Sequence, residues 1–436
     1  METNVISLDI KNFRAIKEAN IKINGITVVA GINGCGKSTI SKLLYCVFRV
    51  ANNFDHVLSK EAFNKLQNFQ NAIIYLLGTM RTNTQLLISI TRKLTELDLD
   101  QNNSLSKEKS ILYFLAWVKE RTKNITDAKQ NQIERAATIF NDIFKNEKKM
   151  KDDLGKLSST KDWQLFIIIL EEYIKNLYER LRKDLIIKPR LYLDREIREI
   201  FNTTEIPSLI EVIEHSQSII STKSQTIQDP FSISNVIYID TPMLLGNYEV
   251  THWGEINLKL SSQDGNLKPN NFEKFLIDDI LNGNASIEYN EELNYFIFKT
   301  KQGVEIDLRD CATGIKSFAI INFLIKNNSI NDKTLLILDE PEAHLHPQWI
   351  IEYGKMLTLI NKHIGAKVFV ATHSPDMVQA LKYIPKKEGI EKNVSFYLAK
   401  QESNLQFSFK GLEDDISEIF DSFNISYEKL EQYGED

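Results

Sequence analysis

Apolar and polar positions alternate along the first thirty residues. Ile6, Leu8 and Ile10 share one face, Ile21 and Ile23 continue the rhythm, and ITVVA (26–30) is apolar throughout. A period of two predicts strands, and an unbroken apolar run of this length predicts a strand buried on both faces. ISKLLYCVF (40–48) then reads as a helix. From about residue 52 to 228 the spacing changes to three and four, and glycine nearly vanishes. Ile133, Ala137, Phe140 and Phe144 form one such stripe; Leu165, Ile169, Tyr173, Leu177 and Leu181 form another. This is the pattern of amphipathic helices, with a loop at DLDQNNSLSK (98–107). The expectation is a large helical insertion whose stripes are packing seams, ended by the polar, Ser/Thr-rich stretch 217–235.

Beyond it, NVIYID (235–240) is a buried-type strand, and residues 294–308 read as a hairpin turning at Lys301-Gln302-Gly303. A helix (315–326), the strand TLLILD (334–339), a helix (347–362) and the strand KVFVAT (367–372) follow. Strand–helix alternation of this kind predicts a largely parallel sheet flanked by helices. The fold class is α/β, with an N-terminal β-layer and a helical insertion.

Composition adds little to that picture. The chain has 436 residues, 42% apolar and 26% charged, which is ordinary for a globular protein. A formal net charge of −6 gives no global field for nucleic acid. Apolar runs are far too short to span a membrane, and METNVISLDI lacks the basic-then-apolar order of a secretory signal. Cys35, Cys46 and Cys311 form no CxxC pair. Together these features make a cytoplasmic location the expectation.

The chemistry starts at GINGCGKST (31–39), which fits G-x-x-x-x-G-K-[ST] between a buried strand and a helix. Gly31, Gly34 and Gly36 let the backbone approach a phosphate, with Asn33 and Cys35 between them. The free N–H groups of Gly36, Lys37, Ser38 and Thr39 at the helix start face that anion. Lys37 would reach the β- and γ-phosphates of ATP, and Ser38 would hold Mg²⁺. TLLILDE ends a buried strand in two acids: Asp339 suits the Mg²⁺ shell, and Glu340 suits a base toward the attacking water. His373 stands just past the next buried strand, where it would meet a γ-phosphate. Thr313-Gly314 opens a helix and forms a second anion-binding end.

These pieces resemble the ABC-type ATPases, in the non-transporter branch that includes SMC, RecF and OLD proteins. The resemblance covers roughly 1–50 and 230–400. It implies that Thr313-Gly314 belongs to a signature motif closing the partner's site in a head-to-tail dimer. DEPEAHLHP (339–347) corresponds to the extended Walker B and D-loop, His373 to the switch histidine, and Arg14 to a residue near the nucleotide. The signature reads CATGIKS rather than LSGGQ, and no Q-loop glutamine is evident.

The implied organisation is an ATPase head in two parts, 1–52 and 231–411, with the helical insertion at 53–230 and an acidic tail at 412–436. The stretch after His373 is too short for the Toprim domain of OLD proteins. A stand-alone ATPase of the Septu or PARIS phage-defence type therefore fits best. It would dimerise around ATP and regulate a separate effector such as an HNH nuclease. The alternative is a RecF- or SMC-like DNA-binding repair or chromosome-maintenance ATPase, with nucleic acid meeting the basic stretch Arg180–Arg190. His344 and His346, beside Glu342, lack the further ligands of a metal centre and follow from the D-loop match. Tail residues Ile416, Ile419, Phe420 and Phe423 lie at helical spacing, facing either a partner or the chain's own core.

Overall fold

The computed structural model describes residues 6–79, 84–100, 103–123, 163–223, 228–261, 285–290, 295–343, 345–403, 405–413 and 415–423. In chain order come β1 (Ile6–Phe13), β2 (Ile16–Ile23), β3 (Ile26–Ala30), α1 (Lys37–Thr79), α2 (Thr84–Thr95), α3 (Glu108–Arg121), α4 (Trp163–Phe201), β4 (Leu209–Glu214), β5 (Gln217–Ser221) and β6 (Asn235–Ile239). There follow α5 (Thr251–Ser261), β7 (Ala285–Asn290), β8 (Tyr295–Thr300), β9 (Glu305–Asp307), α6 (Thr313–Lys326), β10 (Thr334–Asp339), α7 (Pro347–Leu359), β11 (Lys367–Thr372), α8 (Pro375–Lys387), β12 (Val394–Ser403) and β13 (Gln406–Leu412). The chain divides into two compact units, 1–52 with 190–436, and 53–189.

The first unit is built on a ten-stranded mixed sheet in the order β5-β4-β1-β2-β13-β12-β3-β11-β10-β6. Its strands β12, β3, β11, β10 and β6 run parallel. The alternation of side chains sorts each strand between two cores. Val28, Leu336, Leu338, Val368 and Val370 face one, with Trp253 of α5, Phe318 and Ile321 of α6, and Leu357 of α7. Val29, Leu335, Ile337, Phe369 and Ala371 face the other, with Ile40, Leu44 and Phe48 of α1 and Leu193 and Ile197 of α4. Both faces of the parallel strands are therefore covered, as their apolar sequences require. Ile416 and Ile419 are buried in the first of these cores, and Phe420 and Phe423 pack against it. The start of the acidic tail thus packs on its own protein.

Two expectations change. Residues 190–230 belong to the first unit, so the compact helical unit is 53–189 rather than 53–230. The stretch expected to be polar connection contains β5, and β4 precedes it. In β4, LIEVIE buries Leu209, Ile210 and Val212, and the strand pairs antiparallel with β1 from Ile6↔Glu214 to Lys11↔Leu209. QSIIS buries both Ile219 and Ile220, neighbours in sequence, where its register with β4 shifts between Val212↔Ile220 and Ile213↔Ser218.

The second unit has its own apolar core. Leu66 and Phe69 of α1, Ile90 and Leu94 of α2, Phe114 and Val118 of α3, and Ile169, Tyr173, Leu177 and Leu181 of α4 are buried together. The stripe at Ile133, Ala137, Phe140 and Phe144 lies outside the described residues. The basic stretch 180–190 is internal to α4. Among the described residues no helix is long and apolar enough to cross a membrane.

Candidate nucleotide site

Parallel pairing brings the carboxyl ends of β3, β11, β10 and β6 to one edge of the sheet. Loops after parallel strands open toward the same crevice, where α/β sheets take their ligands. β3 delivers the glycine loop, β11 delivers Thr372 and His373, and β10 delivers Asp339 and Glu340.

The loop from Gly31 to Gly36 turns into α1 at Lys37. Gly34 has φ +82° and Gly36 has φ +104°, backbone states that suit glycine. A Cβ on Gly36 would come 2.9 Å from Ile16, whereas one on Gly34 would meet nothing within 4 Å. The first turn of α1 carries no acid, so the positive end of the helix is uncompensated by its own side chains. Lys37 is 3% exposed, and its ammonium donates to Gly31 O at 2.8 Å and Ile32 O at 3.0 Å. Cys35 is wholly buried, and that burial pushes its thiol up, away from a reactive thiolate.

Ser38 Oγ donates to Asp339 Oδ1 at 3.0 Å, joining the P-loop helix to the end of β10. Tyr238 of β6 donates its phenol to Asp339 Oδ2 at 3.2 Å. Burial pushes the Asp339 carboxyl up to about 6 against the pull of these two hydrogen bonds. Ser38 and Asp339 present the hard oxygen donors that suit a small divalent cation.

Glu340 leaves β10 with φ +52°, and its N–H donates to Ala371 O at 2.8 Å. Its Oε1 lies 3.2 Å from His373 Nδ1. Glu342, two residues on, is buried; its Oε1 accepts from Thr372 Oγ1 at 2.6 Å and from the His373 N–H at 3.0 Å. His346 caps α7, its Nδ1 accepting from the Gln348 N–H at 3.4 Å. Ser374 caps α8 in the same way toward Met377.

Of the residues singled out in the sequence, Lys37, Ser38, Asp339, Glu340 and His373 gather at this edge. Thr313 and Gly314 begin α6 as expected, and Gly314 is buried where a Cβ would come 2.4 Å from the Trp349 ring. The Arg14 guanidinium donates to Phe201 O at 2.9 Å and lies 4.7 Å from the centre of the Phe201 ring. Tyr238 and the buried Glu342 have structural partners that the sequence did not announce. A tyrosine inside an apolar strand gives no local signal, and the acid two residues past Glu340 becomes visible only once β11 lies alongside.

The AAA ATPase domain family matches residues 4–378. Septu protein PtuA of Bacillus thuringiensis is 36% identical over 130 residues, which is 26% of this chain and 31% of that relative. The match therefore spans about a third of PtuA's length. MJECL11, an uncharacterized protein of Methanocaldococcus jannaschii, is 34% identical over 101 residues, 23% of this chain and 85% of that one. The Smc head domain of Pyrococcus furiosus, solved with an extended coiled coil and bound to the C-terminal domain of ScpA, aligns with 97% of this chain and 99% of its own, at 10% identity and a TM-score of 0.33. The Smc head of Pyrococcus yayanosii, solved with a coiled coil and joint, aligns over the same shares at 10% identity and a TM-score of 0.37.

Proposed function

Because the chain belongs to the AAA ATPase domain family, we propose that it binds ATP with Mg²⁺ at the ends of β3, β10 and β11 and hydrolyses it. The observation that carries this reading is the 3.0 Å contact between Ser38 and Asp339, which joins the glycine loop's hydroxyl to a buried strand-end carboxylate. In this reading the backbone from Asn33 to Thr39 cradles the phosphates, and Lys37 turns from the Gly31 and Ile32 carbonyls toward the β/γ bridge. Ser38 and Asp339 hold Mg²⁺, which when bound draws negative charge from the phosphate oxygens. Glu340 takes the proton of the attacking water, and His373 meets the γ-phosphate from the next strand. Arg14 sits near the nucleotide, as in the ABC-type family that the sequence resembles.

The reading extends to two chains. Thr313 and Gly314 at the start of α6 would close the site of a second copy, so that ATP draws two heads together and hydrolysis releases them. Such a cycle is a switch. The 36% identity with Septu protein PtuA over 130 residues supports its use in phage defence, with an effector such as an HNH nuclease as the controlled partner.

Two variants test the chemistry. Lys37→Ala should lose ATP binding in calorimetric titration; binding equal to the parent's removes the P-loop from the proposal. Glu340→Gln should keep ATP binding and slow turnover by about 100-fold or more, the usual share of a general base. Unchanged turnover removes Glu340 from the base's role.

A further inference from the structure

Glu342 sits in the turn between β10 and α7 with 5% of its side chain exposed. A carboxylate so buried is costly unless hydrogen bonds hold it. Its Oε1 is held by Thr372 Oγ1 at 2.6 Å and the His373 N–H at 3.0 Å, while Oε2 meets no donor. The same Oε1 is 3.5 Å from His373 Nδ1, and Glu340 Oε1 is 3.2 Å from that nitrogen. Neither approach is aligned as a hydrogen bond. His373 Nδ1 therefore faces two carboxylates, one buried and pinned, the other partly exposed. Of the two Glu340 oxygens it is Oε1 that stands against the imidazole, and an oxygen that accepts from Nδ1–H is withdrawn from water.

We propose that Glu342 is a positioning residue: it holds the His373 imidazole through Nδ1–H and leaves Glu340 free to take the proton from water. The proposal rests on the ATPase reading above. The idle Oε2 is the acceptor toward which Nδ1–H turns when Glu340 departs. Engaging Nδ1 fixes the tautomer, so Nε2 presents a lone pair that can accept from a water or a protonated phosphate oxygen. Thr372 and the His373 amide keep the Glu342 carboxylate from following the imidazole, so it serves as a fixed post.

The test reads His373 directly, by ¹⁵N imidazole spectra of nucleotide-free protein, which separate the two neutral tautomers from each other and from the imidazolium. The parent and Glu340→Gln should show the Nδ1–H tautomer. Glu342→Gln keeps an acceptor oxygen for Thr372 and the His373 amide but replaces the idle oxygen with an N–H donor. Added to Glu340→Ala, which removes the other carboxylate facing Nδ1, it should therefore shift the tautomer toward Nε2–H. This readout needs no turnover, so it stands even if the ATPase reading fails. In turnover, Glu342→Gln should lower kcat about 10-fold or more with unchanged ATP affinity, and adding it to His373→Ala should slow the enzyme no further. An unmoved tautomer when Glu342→Gln is added to Glu340→Ala, loss of the Nδ1–H tautomer in Glu340→Gln, or multiplied losses when Glu342→Gln is added to His373→Ala each overturn the proposal. The Glu340→Gln spectrum keeps the test decisive should Glu342→Gln fail to fold.

Discussion

The phenol of Tyr238 satisfies the Asp339 oxygen that Ser38 leaves free. Tyr238→Phe would strand a buried acceptor, a loss of about 1–3 kcal/mol that urea unfolding should register. It should also raise the Mg²⁺ concentration needed for half-maximal ATPase, because Asp339 loses one of its two restraints. Gly314 carries a different constraint: an added methyl would press on Trp349 at 2.4 Å. Gly314→Ala should destabilise the fold by about 1–3 kcal/mol, the range for overpacking, whether or not nucleotide is present. At this scale the sequence spoke through residues whose place at a strand end or helix start follows from local pattern, such as Lys37, Ser38 and Asp339. It was silent on Tyr238 and Glu342, whose partners depend on which strands become neighbours.

Elements show the same division. The apolar runs 334–339 and 367–372 coincide with β10 and β11, because a strand buried on both faces needs no partner to declare itself. β4 and β5 were harder to read, since both are short and follow the helical stretch directly along the chain. Helix α5 went unread because its apolar spacing is short, yet Asp240 at the end of β6 ties it down. Trp253 Nε1 donates to Asp240 Oδ1 at 2.8 Å, and His252 Nε2 lies 3.2 Å from the same oxygen. Burial alone would raise the Asp240 carboxyl, but the hydrogen bond and charge of His252, with help from Trp253, hold it at about 2. A carboxyl lowered from the ordinary 3.8 stabilises the fold above that pH and loses the contribution as pH falls toward about 2. The loss is on the order of 2 kcal/mol. Asp240→Asn should flatten this part of the acid-unfolding curve, measured by urea midpoints between about pH 4 and pH 2.

For the whole molecule the proposal requires two chains per hydrolytic event. Thr313→Asp places an acid in the first turn of α6, where the helix tolerates it and a γ-phosphate does not. Thr313→Asp and Lys37→Ala chains should each be inactive alone, whereas their mixture should regain part of the ATPase rate. A head-to-tail pair gathers both lesions in one site and leaves the other intact. Glu340→Gln chains should elute as a larger species with ATP than without it. Neither result would come from a site complete in one chain. Architecture at this scale was legible where strand–helix alternation set it. The boundary at 189 was not, because the chain passes from one compact unit to the other inside helices α1 and α4, with no break in pattern.

Glu340 holds a left-handed backbone at φ +52°. A β-carbon there costs about 1–2 kcal/mol that glycine escapes. Glu340→Gly should therefore yield a hydrolytically dead protein that melts no lower than its parent, even after glycine's extra freedom in the unfolded chain is counted. Selection for robustness alone would drift this position toward glycine. On the proposed mechanism a glutamate in such a posture marks a place where activity and endurance compete, and a thermal-stability screen blind to turnover would discard it first.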